Sequence, residues 1–188
     1  MTRRVLTSSD LPRISDGSWR VVRAAERGND WYPQVRELLY YWMRKCNAEG
    51  HLPSRQDVDR IELAELLPHM WMLEVQRNPW RFRYRMAGCD FAAFIGRTIG
   101  SDWYDELRPL AWAANRTRLI TTVRDGMATW RRGAMPMEDD TFEFKGWSEA
   151  ENLMLPLACD GINVDTVLGI TMPVRPLDLW DEAPLAAQ

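Results

Sequence analysis

Two short segments that alternate apolar and charged residues, held apart by a proline, constrain this chain more than any other feature. Across Leu67–Gly88, Trp71, Leu73 and Val75 fall on one side of a first extended strand, and Phe82, Tyr84 and Met86 on one side of a second. The reason is that neighbouring side chains of a strand point to opposite faces. Pro79, in the interruption Arg77-Asn78-Pro79, has no N–H for a strand ladder and fits only the connection. The pattern is that of a β-hairpin, and its apolar faces need a partner layer. That layer decides between a packed core and a pocket.

The rest of the chain supplies helices before this hairpin, and further helices followed by strands after it. Residues 1–29 mix Arg, Ser, Asp and Gly without periodicity and read as a flexible arm. Over 30–50 the apolar residues Trp31, Val35, Leu38, Leu39, Trp42, Met43 and Cys46 recur at helical spacing. Asp30 is expected to cap that amphipathic helix and Gly50 to stop it. Ser54 can cap a turn that Asp57 supports at its positive start, and ELAELL predicts a short helix ended by Pro68. After the hairpin, CDFAAFIG reads as a helical turn and SDWYDEL as another. A longer helix then opens near Pro109, carries Trp112, Leu119, Ile120 and Val123, and closes at Gly126. MATWRRGAMP, NLMLPLACD and VDTVLGITMP read as three strands, the last two joined through Asp160-Gly161. This order, with no βαβ alternation, predicts an α+β domain on an antiparallel sheet.

Composition narrows the function classes. The formal net charge of -3 argues against a phosphate-tracking surface, so no nucleic-acid partner is expected. No apolar run approaches the roughly 18 residues of a membrane span, and the N-terminus lacks a signal-peptide core, so a cytoplasmic protein without membrane insertion is expected. Cys46, Cys89 and Cys159 lack metal or redox spacing and read as reduced thiols. Ten tryptophans point to a core or pocket walled by aromatics. No phosphate loop, HExxH or nucleophile motif is present, and no catalytic or metal-ligating residue is assigned.

The segments LPSRQDVD, LLPHMWMLEV, RFRYRMAG, FIGRTIGSDWYDEL, LPLACDG and VLGITMPV, in that order, resemble the successive motifs of the PAS fold, in particular those of a group of bacterial stand-alone PAS proteins. The resemblance runs from His51 to Pro173, and the ordered series is far more specific than any one member. It implies a five-stranded antiparallel sheet, with short helices on one face and the N-terminal amphipathic helix added. It also implies a non-catalytic sensory role exercised through a small ligand or a partner signalling protein. The PAS-like domain is placed at 51–175 with a tail at 176–188, and the few residues after Pro173 leave no room for an output domain. EDDTFEFKGWSEAE, from Glu138 to Glu151, is longer than a plain strand connection.

These readings define the candidate sites. Trp71, Leu73, Phe82, Tyr84, Phe94, Trp112, Trp130 and Leu168 are the expected lining of a pocket for an unidentified small molecule. No cofactor is implied. A haem sensor would rest on His69, yet Cys89–Gly126 has no histidine, and Cys89 lacks the Asn-Cys-Arg context of flavin photochemistry. Arg81, Arg83 and Arg85 alternate away from the apolar face, with Arg83 and Arg85 as candidate contacts for an anion or acidic partner, against pairing with Glu74 or Glu151. Trp31, Val35, Leu38, Leu39 and Trp42 are the candidate interface of a homodimer. A ligand-free adaptor acting through that dimer is the alternative reading.

Overall fold

The computed structural model describes residues 14–16, 31–46, 51–95, 98–134 and 149–174. Gly50, Phe142, Phe144, the tail and all of the arm except Ile14–Asp16 lie outside them. The strands are β1 (Ile14–Asp16), β2 (Met70–Gln76), β3 (Arg81–Ala87), β4 (Ala128–Ala134), β5 (Glu149–Leu157) and β6 (Thr166–Val174). The helices are α1 (Pro33–Lys45), α2 (Cys89–Ile95), α3 (Tyr104–Leu107) and α4 (Pro109–Asp125). The sheet order is β1-β4-β5-β6-β2-β3. Five strands pair antiparallel, and the three-residue β1 adds a parallel edge on β4 that the arm reading did not foresee.

α1 covers one face of the sheet, and α2, α3 and α4 belong to the other. The helix begins at Pro33 with Tyr32 as its N-cap and no side-chain cap, and Asp30, the predicted cap, lies outside the described residues. Proline suits a first turn because its missing N–H has no intrahelical partner to lose. The Tyr32 N–H instead donates to the Glu151 carboxylate at 3.2 Å. Val35, Leu38, Leu39 and Trp42 point into the sheet and are almost completely buried, and Trp42 Nε1 donates to the Pro156 carbonyl at 2.9 Å. Each such aliphatic side chain contributes about 1.5–3 kcal/mol. The five residues proposed for a dimer interface are therefore core of this chain.

Between α1 and β2, the Ser54 hydroxyl accepts from Gln56 N, and the Asp57 carboxylate accepts from Ser54 N at 2.7 Å, a reciprocal cap. ELAELL is not the predicted helix: residues 61–66 form successive turns, and Pro68 lies inside a 3-10 turn, Leu67–His69. The segment is too short, and its proline too near, for α-helical hydrogen bonding to propagate.

The hairpin is present with two corrections. β2 is buried on both faces: Trp71 and Leu73 face the helices α2–α4, while Met70 and Met72 face α1. A bulge also interrupts the ladder, because Met72 pairs with Met86 while Leu73 pairs with Tyr84, leaving Arg85 unmatched. Past that extra residue the alternation reverses, so Met86 packs on the α1 side and not beside Phe82 and Tyr84. α4 ends where expected, with Gly126 in the left-handed conformation at φ 61°.

Candidate functional site

α4 runs across the sheet with an inner stripe of Ala111, Asn115, Arg118 and Thr122, spaced four, three and four residues apart. That spacing keeps one side of a 3.6-residue helix facing β4 and β5. Thr122 seats the helix, its hydroxyl bonded to the Arg118 carbonyl at 3.0 Å and to the Thr129 hydroxyl at 2.8 Å. Beyond this contact helix and sheet separate, and the space between them is a cavity.

The cavity has about 50 Å³ open to the centre of a water-sized sphere. Since one water needs about 10–15 Å³ by this measure, it has room for roughly three to five waters, or a small organic molecule. One end is apolar, walled by Trp71, Leu73, Tyr84, Phe91, Leu119 and Met154. The rings meet at an angle: Tyr84 and Tyr104 are edge to face at 5.8 Å, and Trp71 and Phe91 tilted at 6.0 Å. Burial pushes the Tyr84 hydroxyl well above the usual phenol range.

The other end is polar and cationic. Arg108, from the start of α4, Arg118, from its middle, and Arg131, from β4, all line the cavity, and among the described residues no Asp or Glu does. A chain of hydrogen bonds crosses the sheet face beneath them. Trp71 Nε1 and Asn152 Nδ2 donate to the Thr171 hydroxyl at 2.9 and 2.8 Å, and Arg118 Nη2 donates to Asn152 Oδ1. This bond leaves most of the Arg118 guanidinium unused: Nε and Nη1 are buried and make no hydrogen bond. Burial, reinforced by the nearby Arg131 charge, pushes the Arg118 pKa down to about 9.

The opposite face of the same two strands holds the start of α1. Trp31 stacks on Trp130 with ring centres 4.7 Å apart and planes within 2°. Glu151 is completely buried there, accepting from Trp130 Nε1 at 3.0 Å and from Tyr32 N. Burial raises its pKa against those two bonds and the Arg132 charge, which lower it. Thus Trp130 and Arg131 on β4, and Glu151 and Asn152 on β5, are consecutive residues on opposite faces, one of each pair in the cavity and one under α1.

Of the eight residues expected to line a pocket, Trp71, Leu73 and Tyr84 meet at the cavity. Phe82 and Trp112 pack against each other behind it, 5.7 Å apart. Phe94 is half-buried and outside it; Phe91 occupies the wall instead, because Phe91 and Ile95 form the inward i, i+4 pair of α2. Trp130 and Leu168 face α1. Arg85 pairs with Glu74 on the surface, as the strand-neighbour reading anticipated, whereas Arg81 binds Asp105 and Glu106. Arg83 donates to the Ser101 carbonyl at 2.8 Å and lies over the Trp103 ring. Glu151 is engaged under α1 and takes no part. Among the residues that sequence reasoning missed are Phe91, Arg108, Asn115, Arg118, Arg131 and Asn152. The available signal was Arg118 itself, a charged residue on the inner stripe of a helix between Asn115 and Thr122. His69, the one histidine considered for haem, lies 3.5 Å from Asp90, outside the cavity.

The fold is that of a PAS module, and a family model described as PAS domain matches residues 32–172. The chain belongs to the PAS domain family, whose members have a general sensory or regulatory role. No curated protein and no solved structure matches it. Among the described residues no helix is long and apolar enough to cross a membrane.

Proposed function

We propose that this protein is a non-catalytic regulatory sensor whose ligand occupies the cavity between α4 and the sheet. The observation that carries the reading is the divided cavity, apolar at one end and hydrogen-bonding at the other. A filled core has no use for polar groups left without partners. Output follows from the two-sided strands. A ligand that repositions Arg131 or Asn152 pulls on β4 and β5, and so on Trp130 and Glu151, which hold Trp31 and Tyr32 at the start of α1. Occupancy then biases how α1 is seated, provided the ligand binds two seatings with different affinity. The signal leaves through a partner signalling protein or a second copy. A second copy would meet the outer side of α1, where Tyr40 is exposed, since Trp31, Val35, Leu38, Leu39 and Trp42 are buried beneath.

Native mass spectrometry of freshly purified protein, followed by a thermal-shift panel of small metabolites, tests this proposal. A retained small molecule, or a compound that raises the melting temperature and whose effect Leu119→Trp abolishes, is the expected result. A clean apo mass with no shift across the panel would favour the ligand-free adaptor.

A further inference from the structure

We infer that the cavity is a receptor for a small organic monoanion, a carboxylate on a compact apolar or aromatic body, with Arg118 as its principal anchor. The inference rests on the ligand-cavity reading and specifies its chemistry. Arg118 is 5% exposed, and its Nε and Nη1 lack hydrogen bonds in a chain whose other described buried polar side-chain atoms, Gln34 Oε1 excepted, are satisfied. A buried guanidinium is normally paired, because removing the charge from water costs several kcal/mol unless an anion and hydrogen bonds offset it. No acidic residue among those described lines the cavity, while Arg108 and Arg131 also line it. Among the described residues none of the walls supplies the counter-charge, and on this inference the ligand brings it.

The shape limits what that ligand is. A guanidinium edge matches a carboxylate or a phosphate, two oxygens to two N–H groups; because Nε and Nη1 lie on different edges, such a contact pairs one of them with the second N–H of Nη2. Inorganic phosphate would satisfy the fork but leave the wall of Trp71, Tyr84, Phe91 and Met154 uncovered. A carboxylate with a compact apolar body covers both ends. Asn152 Oδ1 holds the guanidinium through Nη2, and Asn152 is itself fixed by Thr171, so the fork is preorganised rather than floppy. Lowering of the Arg118 pKa by burial is consistent with a charge that lacks its counter-ion.

The test uses the full chain and two near-isosteric probes, sodium benzoate and benzamide, measured by calorimetry and by 15N resonances of the arginine Nε–H and tryptophan Nε1–H groups. Benzoate is expected to bind at least tenfold more tightly than benzamide, to shift Arg118 Nε–H and Trp71 Nε1–H, and to outcompete inorganic phosphate. In Arg118→Met the preference should disappear, and in Arg118→Lys it should weaken without vanishing. Equal affinity for the two probes overturns the anion inference and leaves the ligand cavity standing. Binding of phosphate in place of benzoate overturns the carboxylate and its apolar body. Failure of benzoate, phenylacetate, cyclohexanecarboxylate and benzamide alike to perturb Trp71 or Arg118 overturns the inference together with the cavity reading. The benzoate–benzamide comparison needs no variant, so it stands even where a substitution impairs folding.

Discussion

Replacing Arg118 by methionine should make the ligand-free protein more stable. Methionine has nearly the length of the arginine stem, so the packing of α4 on the sheet is retained, and what leaves is a buried charge with two unsatisfied nitrogens. Burial and Arg131 take the Arg118 pKa down to about 9. That is a fall of roughly three to four pH units, and at about 1.4 kcal/mol per unit the charge costs about 4–5 kcal/mol. Against this, the variant loses the bond to Asn152 and leaves Asn152 Oδ1 unmatched, a loss of about 1–3 kcal/mol. The net gain is about 1–4 kcal/mol, or roughly 2–16 °C in melting temperature for a domain of this size. The pH dependence separates charge burial from incidental repacking. Because the folded-state pKa of this base is depressed, the unfolded wild type binds more protons above pH 9, and wild-type stability rises with pH through that window. The advantage of Arg118→Met should therefore shrink by about 2 kcal/mol between pH 8.5 and 10.5. Paired thermal and urea melts of extensively dialysed protein measure both quantities. A variant less stable than wild type, with a pH-independent difference, would refute the reasoning and show that the guanidinium is satisfied in place.

Glu151, buried and raised in pKa, carries the opposite sign: its contribution is fully present below the unfolded carboxylate value and is lost as pH rises through the folded one. Glu151→Gln, which keeps an acceptor for Trp130 and Tyr32, should match or exceed wild-type stability at pH 7 and lose ground steadily toward pH 4.5; a flat difference profile contradicts this. Gly88→Ala should prevent folding or cost more than about 3 kcal/mol, since the added Cβ would stand 2.1 Å from the Leu67 carbonyl oxygen and 2.3 Å from that of Pro68, both backbone atoms that cannot swing aside. Soluble yield and a urea midpoint check it. Tyr41→Phe should cost about 1–2 kcal/mol, because its hydroxyl both donates to the Asp57 carbonyl at 2.9 Å and accepts from Asp59 N at 2.7 Å, joining α1 to the segment before β2. A loss under a few tenths of a kcal/mol in denaturant melts would show that water replaces both bonds.

The fold was legible because its strands and helices announce themselves by period, and the places where the reading slipped are places where period is an incomplete guide. The face of β3 was misassigned at Met86, where a one-residue bulge at Arg85 reverses the alternation, and a bulge leaves no mark in an uninterrupted alternating string. ELAELL has helical composition, yet it is short and Pro68 follows closely, so it forms turns. The stripe of α1 was identified, but a stripe does not say what covers it; the sheet of the same chain does, and the dimer interface assigned to those residues gives way to core.

The candidate site was legible at its apolar end and missed at its cationic end, for a reason that bears on what the cavity is for. Trp71, Leu73 and Tyr84 obey the rule that strand-face aromatics meet the opposing layer. Arg118 breaks the corresponding rule for helices, since a guanidinium sits where the pattern calls for an apolar residue, between Asn115 and Thr122. Arg83 and Arg85 form a visible row on β3, but both are engaged at the surface, by Ser101 and Glu74. Where every other inward position of α4 is consistent with packing, one that costs stability is explained by a requirement other than folding. On that argument Arg118, where the local rule and the global fold disagree, is the position that the proposed ligand anchor requires.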